Sequence, residues 1–193
     1  MSAMARRSRR SAMSSLFALI LIALFAAAAG KGDQGGRELE LSARGQVKAP
    51  VAAVWKLFAD VGHWADWNPA VKEVKIVKGQ PPAEGAVVSL LPVINGKSPA
   101  EPLSLEITMS VPDHTLQFDG RPNPRLFLML GLNLWEREGY TDIEFGQFIA
   151  GPGMSDYVKE YGKENLKQFG EAWVKAIKDK LEGTKPENTS PSN

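Results

Sequence analysis

Ala49-Pro-Val-Ala-Ala-Val-Trp-Lys-Leu-Phe-Ala-Asp-Val-Gly-His-Trp-Ala-Asp-Trp-Asn-Pro-Ala-Val-Lys-Glu-Val-Lys-Ile-Val77 is the stretch on which the fold turns. Pro50 suits the first turn of a helix, where its missing N–H has no partner to lose. Val51, Val54, Trp55 and Phe58 recur at helical spacing and give that helix one apolar face. Asp60 to Pro69 breaks the pattern and carries Trp64 and Trp67. Pro69 disfavours helical geometry at Asn68, so the chain turns out there. Val71 to Val77 then begins to alternate as a strand does. Two large indoles on so short a connector need a broad surface to cover them. They read as the lid or corner of a single core.

Outward from that corner the pattern is mostly strand. Arg37 to Val47 alternates Leu39, Leu41 and Ala43 against Glu38, Glu40 and Ser42. Gly79 to Gly85 is turn chemistry, Ala86 to Ile94 is rich in strand formers, and Asn95-Gly96 signals a tight turn within a Pro-rich continuation. Leu103, Leu105, Ile107, Met109 and Val111 form the cleanest alternation in the chain. Thr115 to Asp119 predicts a short strand that Arg121-Pro-Asn-Pro124 breaks. Leu126 to Glu138 and Tyr140 to Ala150 pair about a turn at Gly139, and Gly151-Pro-Gly153 stops the sheet. From Ser155, a candidate N-cap, the period becomes helical. Tyr157, Tyr161, Phe169, Trp173, Ile177 and Leu181 fall on one side of a single helix running to Glu182, with Gly183 ending it. Strand, two short helices or turns, about six strands and one long helix predict an α+β fold with an antiparallel sheet.

At 193 residues the chain supports one domain with its own core. Residues 1–30 hold Arg6, Arg7, Arg9 and Arg10, no acid, and an apolar run of 14 from Leu16 to Ala29. Small residues at Ala26 to Gly30 complete the look of a cleaved export signal. The run is short for a spanning helix, though an uncleaved tether, with transient membrane contact, is the alternative. A twin-arginine signal fits poorly after Arg10, and an Arg- and Ser-rich transit peptide is a further reading. Secretion or delivery to a periplasm is therefore the expected address. Residues 31–36 compose a linker, 37–183 the domain, and 184–193 a polar tail expected to be disordered. Removing the four arginines from the net charge of +1 leaves a body of −3. Such a body is a poor partner for phosphate backbones, so no nucleic-acid partner is expected. With no cysteine there is neither a disulfide nor thiolate chemistry.

Val47-Lys-Ala-Pro-Val-Ala-Ala-Val-Trp-Lys-Leu-Phe-Ala-Asp60, followed by Trp64-x-x-Trp67-Asn-Pro-x-Val71, resembles the opening of the polyketide cyclase/dehydrase-like branch of the START-related (SRPBCC) superfamily. The glycine turns at Gly79 and Gly85, the Gly139-Tyr-Thr hairpin and the aromatic terminal helix follow in the same order, so the resemblance covers about Glu38 to Leu181. It implies the helix-grip fold also seen in the birch pollen allergen: a seven-stranded antiparallel sheet wrapped around the long helix, with an apolar cavity between them. It also implies binding or carriage of hydrophobic small molecules, with enzymes a minority. No catalytic set is shared across the branch, so none is carried over. The Pro-rich Leu91 to Pro102 stretch departs from the pattern at the cavity rim.

Motifs for other chemistries are missing from the sequence. There is no zinc-protease or cysteine-cluster spacing, no G-x-G-x-x-G, no phosphate loop and no G-x-S-x-G elbow. No metal or cofactor is expected. His63 and His114 read as surface or capping residues before they read as general bases. Glu106, Arg137, Asp142 and Glu144 lie opposite apolar neighbours and should face solvent. Tyr140, Tyr157 and Tyr161 combine apolar bulk with one polar tip. The leading expectation is an exported carrier for a lipid, isoprenoid or polyketide, lined by Trp55, Trp64, Trp67, Met109, Phe118, Leu128, Phe145, Tyr161, Phe169 and Trp173. The ligand's way in is expected near the Trp corner and the loop after Leu91. One alternative is a cyclase or dehydratase moving protons with Tyr140, Glu144 or His114. The other is an interaction module whose hollow is filled by side chains.

Overall fold

The computed structural model describes residues 38–183; the expected signal, linker and tail lie outside them. Seven alternating segments become seven strands: β1 (Glu38–Val47), β2 (Val71–Lys78), β3 (Val87–Pro92), β4 (Leu103–Val111), β5 (Thr115–Asn123), β6 (Leu126–Arg137) and β7 (Tyr140–Ala150). They form one antiparallel sheet in the order β1-β7-β6-β5-β4-β3-β2. Between β1 and β2 come α1 (Val51–Ala59), a turn of 3-10 helix at Val61–His63, and α2 (Trp64–Trp67). After β7 come α3 (Met154–Tyr161) and α4 (Lys163–Glu182). The α+β class and the helix-grip arrangement expected from the sequence are those of the structure.

The two-residue period decides which face of the sheet is buried. On β7, Thr141, Ile143, Phe145, Gln147 and Ile149 point to the core. Asp142 and Glu144 point away, meeting Arg137 at 2.7 Å and Arg44 at 3.1 Å on the solvent side. Glu106 is likewise exposed, so all four strand charges face outward as the alternation predicts. α4 lies across β1 and β7. A Cβ at Gly170 would stand 2.9 Å from Gln147 Nε2 and 3.4 Å from Ala43 Cβ, so glycine is what lets the helix come this close.

Three expectations are corrected. The single helix from Ser155 to Glu182 is two helices, broken at Gly162, whose φ of 82° and ψ of 133° are not helical. Its N–H closes α3 on the Val158 carbonyl, and its own carbonyl accepts the first bond of α4 from Leu166. The helix also starts at Met154 rather than behind a Ser155 cap, because the Gly153 N–H is fixed on the Arg125 carbonyl at 2.8 Å. β5 runs on through Pro122 to Asn123, past the expected break. A register shift between Gly120 and Asn123 removes the ladder bonds that proline would have denied. Asn95-Gly96 does turn the chain tightly, pairing Ile94 with Lys97.

On the outer face Asp119 accepts a hydrogen bond from Gln117 Nε2 at 3.1 Å. Burial lifts its carboxyl above the ordinary value, helped by the Glu106 charge and opposed by hydrogen bonds from Gln117 and Thr108. The folded protein therefore holds that proton more tightly than the unfolded chain does. Stability from this group is complete below the unfolded value and is lost as pH rises through the folded one. Asp119→Asn is expected to be the more stable protein at pH 7 in urea denaturation, with the difference gone by about pH 3.

Candidate functional site

The corner places its rings in the core. Trp64 sits with its ring centroid 4.9 Å from Trp173, 5.1 Å from Phe58 and 5.2 Å from Phe118. Trp173 stacks on Phe145 at 5.1 Å with 8° between planes, and Trp67 meets its edge at 5.9 Å. Trp64 Nε1 donates to the Phe58 carbonyl at 2.8 Å, which locks the connector onto α1. Phe58, Trp64, Phe118, Phe145 and Trp173 are each at most 2% exposed. These rings form a solid plug between the middle of α4 and the sheet. Trp55 and Trp67 pack on its flank, half-buried, and Met109 lies at a register shift on β4, also half-buried.

Open space lies one helical turn further toward the N-terminus of α4. Pro92, Ile94, Leu103, Leu128, Leu130, Gln147, Ile149, Tyr157 and Phe169 line a cavity of about 20 Å³. That is room for about one water. Of the ten residues expected to line a hollow, Leu128 and Phe169 are at this cavity. Trp64, Phe118, Phe145 and Trp173 are in the plug, and Tyr161 is buried beside Tyr157, ring to ring at 4.8 Å. Sequence reasoning did not place Pro92, Ile94, Leu103, Leu130, Gln147 or Ile149 here. The signal for Gln147 was present, since it occupies the buried phase of β7. Its Nε2 donates to the Leu166 carbonyl at 2.9 Å.

The other lining group with a polar tip is Tyr157. Burial, reinforced by Tyr161 and Glu160, pushes its phenol well up, so it keeps its proton at neutral pH. It is a donor there and not a base. No carboxylate, imidazole or amine stands among the lining residues. The candidate catalytic residues are elsewhere. Glu144 faces solvent against Arg44, and His114 is exposed in the turn before β5. Tyr140 starts β7 seven residues before Gln147, roughly 23 Å along a strand. Among the described residues no group of three His, Asp or Glu is placed to hold a metal ion, and no helix is long and apolar enough to cross a membrane.

α3 covers this end of the sheet, with Gly153 before it and Gly162 after it. Arg125 ties it to the β5–β6 turn through the Pro152 carbonyl at 3.3 Å and Asp156 at 3.6 Å, both contacts exposed. At Gly162 a side chain would be held in a backbone region that only glycine enters freely, and its Cβ would meet Asn165 Nδ2 at 3.1 Å. Gly162→Ala is expected to cost about 1–3 kcal/mol in urea denaturation.

Residues 38–177 match the sequence profile of a family described as polyketide cyclase / dehydrase and lipid transport. No curated protein is a sequence match for the chain. Among solved structures, the Zhui aromatase/cyclase from Streptomyces sp. R1128 is 17% identical, with a TM-score of 0.63 over 75% of this chain and 94% of its own. A START superfamily protein from Mycobacterium smegmatis is 16% identical, with a TM-score of 0.58 over 78% of this chain and 100% of its own. The major latex-like protein 151 of Panax ginseng is 13% identical, with a TM-score of 0.63 over 76% of this chain and 99% of its own. At these identities the likeness establishes the fold.

Proposed function

The chain belongs to the polyketide cyclase/dehydrase and lipid transport family, and from that premise we propose that it binds a hydrophobic small molecule between its sheet and the α3–α4 break. The observation that carries this reading is the lining. Eight of the nine side chains at the cavity are aliphatic or aromatic, and the ninth, Gln147, already donates to backbone. Such a wall rewards burial of apolar area at about 25 cal/mol per Å² and offers little to a polar solute. The cavity is far below the roughly 300–1,000 Å³ of an ordinary ligand site. Binding therefore proceeds by opening: Tyr157 on α3 and Phe169 on α4 give way, and the glycines at either end of α3 let it swing. With no proton acceptor at the wall, carriage fits better than catalysis.

Native mass spectrometry of the full chain, offered a fatty acid, an isoprenoid alcohol and an aromatic polyketide, tests this. At least one is expected to give a one-to-one adduct. A protein that stays bare against all three contradicts the proposal. The charged and apolar first thirty residues support an exported carrier. N-terminal sequencing of the secreted protein is then expected to begin between Ala26 and Lys31, and an intact start contradicts cleavage.

A further inference from the structure

Gln147 lines the cavity and is only 4% exposed. Its Nε2 donates to the Leu166 carbonyl at 2.9 Å. A carbonyl can only accept, so the amide nitrogen must be the end turned toward α4 and the oxygen the end turned away. Oε1 takes no hydrogen bond from any described residue. Nor is it sealed in: the buried side-chain atoms with neither a partner nor accessible surface are Trp67 Nε1, Asn68 Nδ2 and Trp173 Nε1. Oε1 therefore keeps accessible surface inside a residue that has almost none, and the space beside that residue is the cavity. The room there, about 20 Å³, suits one oxygen-sized atom. Packing holds the amide in place, since even a Cβ at Gly170 would stand 2.9 Å from Gln147 Nε2.

Resting on the carrier reading and deepening it, we propose that Gln147 Oε1 orients the ligand and receives the O–H of a neutral, otherwise apolar alcohol or phenol. An amide oxygen only accepts, so its partner must bring the proton. Ketones, esters and ethers bring none, and their oxygens would face Oε1 lone pair to lone pair. An ammonium or a carboxylate would find no countercharge among the lining residues, and burying it there costs far more than one hydrogen bond returns. Gln147 accepts a bond without taking the proton, in keeping with carriage rather than chemistry. A water in so apolar a space would have few partners, and a ligand hydroxyl reproduces the bond it makes, so the exchange loses little.

The test uses two pairs that share a skeleton and differ in the donor, 1-(2-naphthyl)ethanol with 2-acetylnaphthalene and 2-tridecanol with 2-tridecanone. Each is titrated into the full-length protein carrying ¹³C-labelled glutamine. The alcohol of at least one pair is expected to bind roughly tenfold tighter than its ketone, about one net neutral hydrogen bond. Bound alcohol should move the side-chain carbonyl carbon of Gln147 downfield, and bound ketone should not. Gln147→Met, which keeps the bulk and loses the acceptor, should bring the alcohol-to-ketone ratio close to one. Equal affinities with the Gln147 carbonyl unmoved in the wild type would overturn the acceptor and leave the carrier reading standing. An alcohol preference that survives Gln147→Met, with that carbonyl unmoved, would also overturn it, since the hydroxyl would then sit elsewhere. Binding of neither alcohol by a protein that takes up the fatty acid would overturn the acceptor alone. A protein that binds none of the four and stays bare in the mass spectrometry would overturn both.

Discussion

Trp173→Ala is expected to destabilise the protein by about 4 kcal/mol. Its ring touches Phe145, Trp64, Phe58, Trp67 and Phe169, the first face to face and the others near perpendicular. Removing it takes away the transfer energy of a buried indole and leaves a cavity that the surrounding rings cannot close. Aromatic pairs add about 0.5–1.5 kcal/mol each beyond the area they bury. Against a usual total of about 5–15 kcal/mol, the loss is a large fraction of what holds the domain together. Urea denaturation followed by circular dichroism reads it directly. A loss below about 1 kcal/mol would mean that the plug is loose and that the middle of α4 already stands off the sheet.

Phe169→Ala is expected to act in two directions at once. Phe169 is buried, meets Phe145 edge-on at 6.2 Å, and lines the cavity. Truncating it costs about 3 kcal/mol of stability by the same cavity logic. Under the proposed opening, the wild-type chain would bind only in the minor state in which that ring has moved, and its apparent affinity would be reduced by the fraction of time spent there. The variant has no ring to move. Affinity for a lipophile that the wild type binds should rise about tenfold while stability falls, read by calorimetric titration beside urea denaturation. Stability falling with affinity unchanged would place the ligand somewhere else.

Much of the architecture was legible because it rests on local rules. The alternation of Leu103 to Ile107 and of Tyr140 to Ala150 marked which side of each strand is buried, and the proline at Asn68-Pro69 marked the corner; past Ile107 a register shift breaks the expected phase, leaving Met109 half-buried and Val111 exposed. The break at Gly162 was not legible, because the apolar stripe from Tyr157 to Leu181 passes through it without a change of period. Only the backbone shows that glycine there leaves helical geometry. The site was harder still. Periodicity marks a ring as buried, but whether it faces a hollow or another ring depends on partners far apart in sequence. Phe145 and Trp173 stack, and Leu128 and Phe169 do not fill their space, though all four carry the same signal in the chain. Gln147 was visible as a polar residue in an apolar phase. Asn68 was visible only as the residue before a proline, and the bond its Oδ1 accepts from the Ala70 N–H needed the fold around it.

Intermolecular nuclear Overhauser effects between a bound lipophile and the protein's methyl groups test the central claim most directly. Contacts to Leu103, Leu128 and Ile149 are expected, together with broadening of the Tyr157 and Phe169 rings as they move aside. Contacts confined to the exposed methyls of Val77 and Val111, with the rings undisturbed, would show a surface association and contradict it.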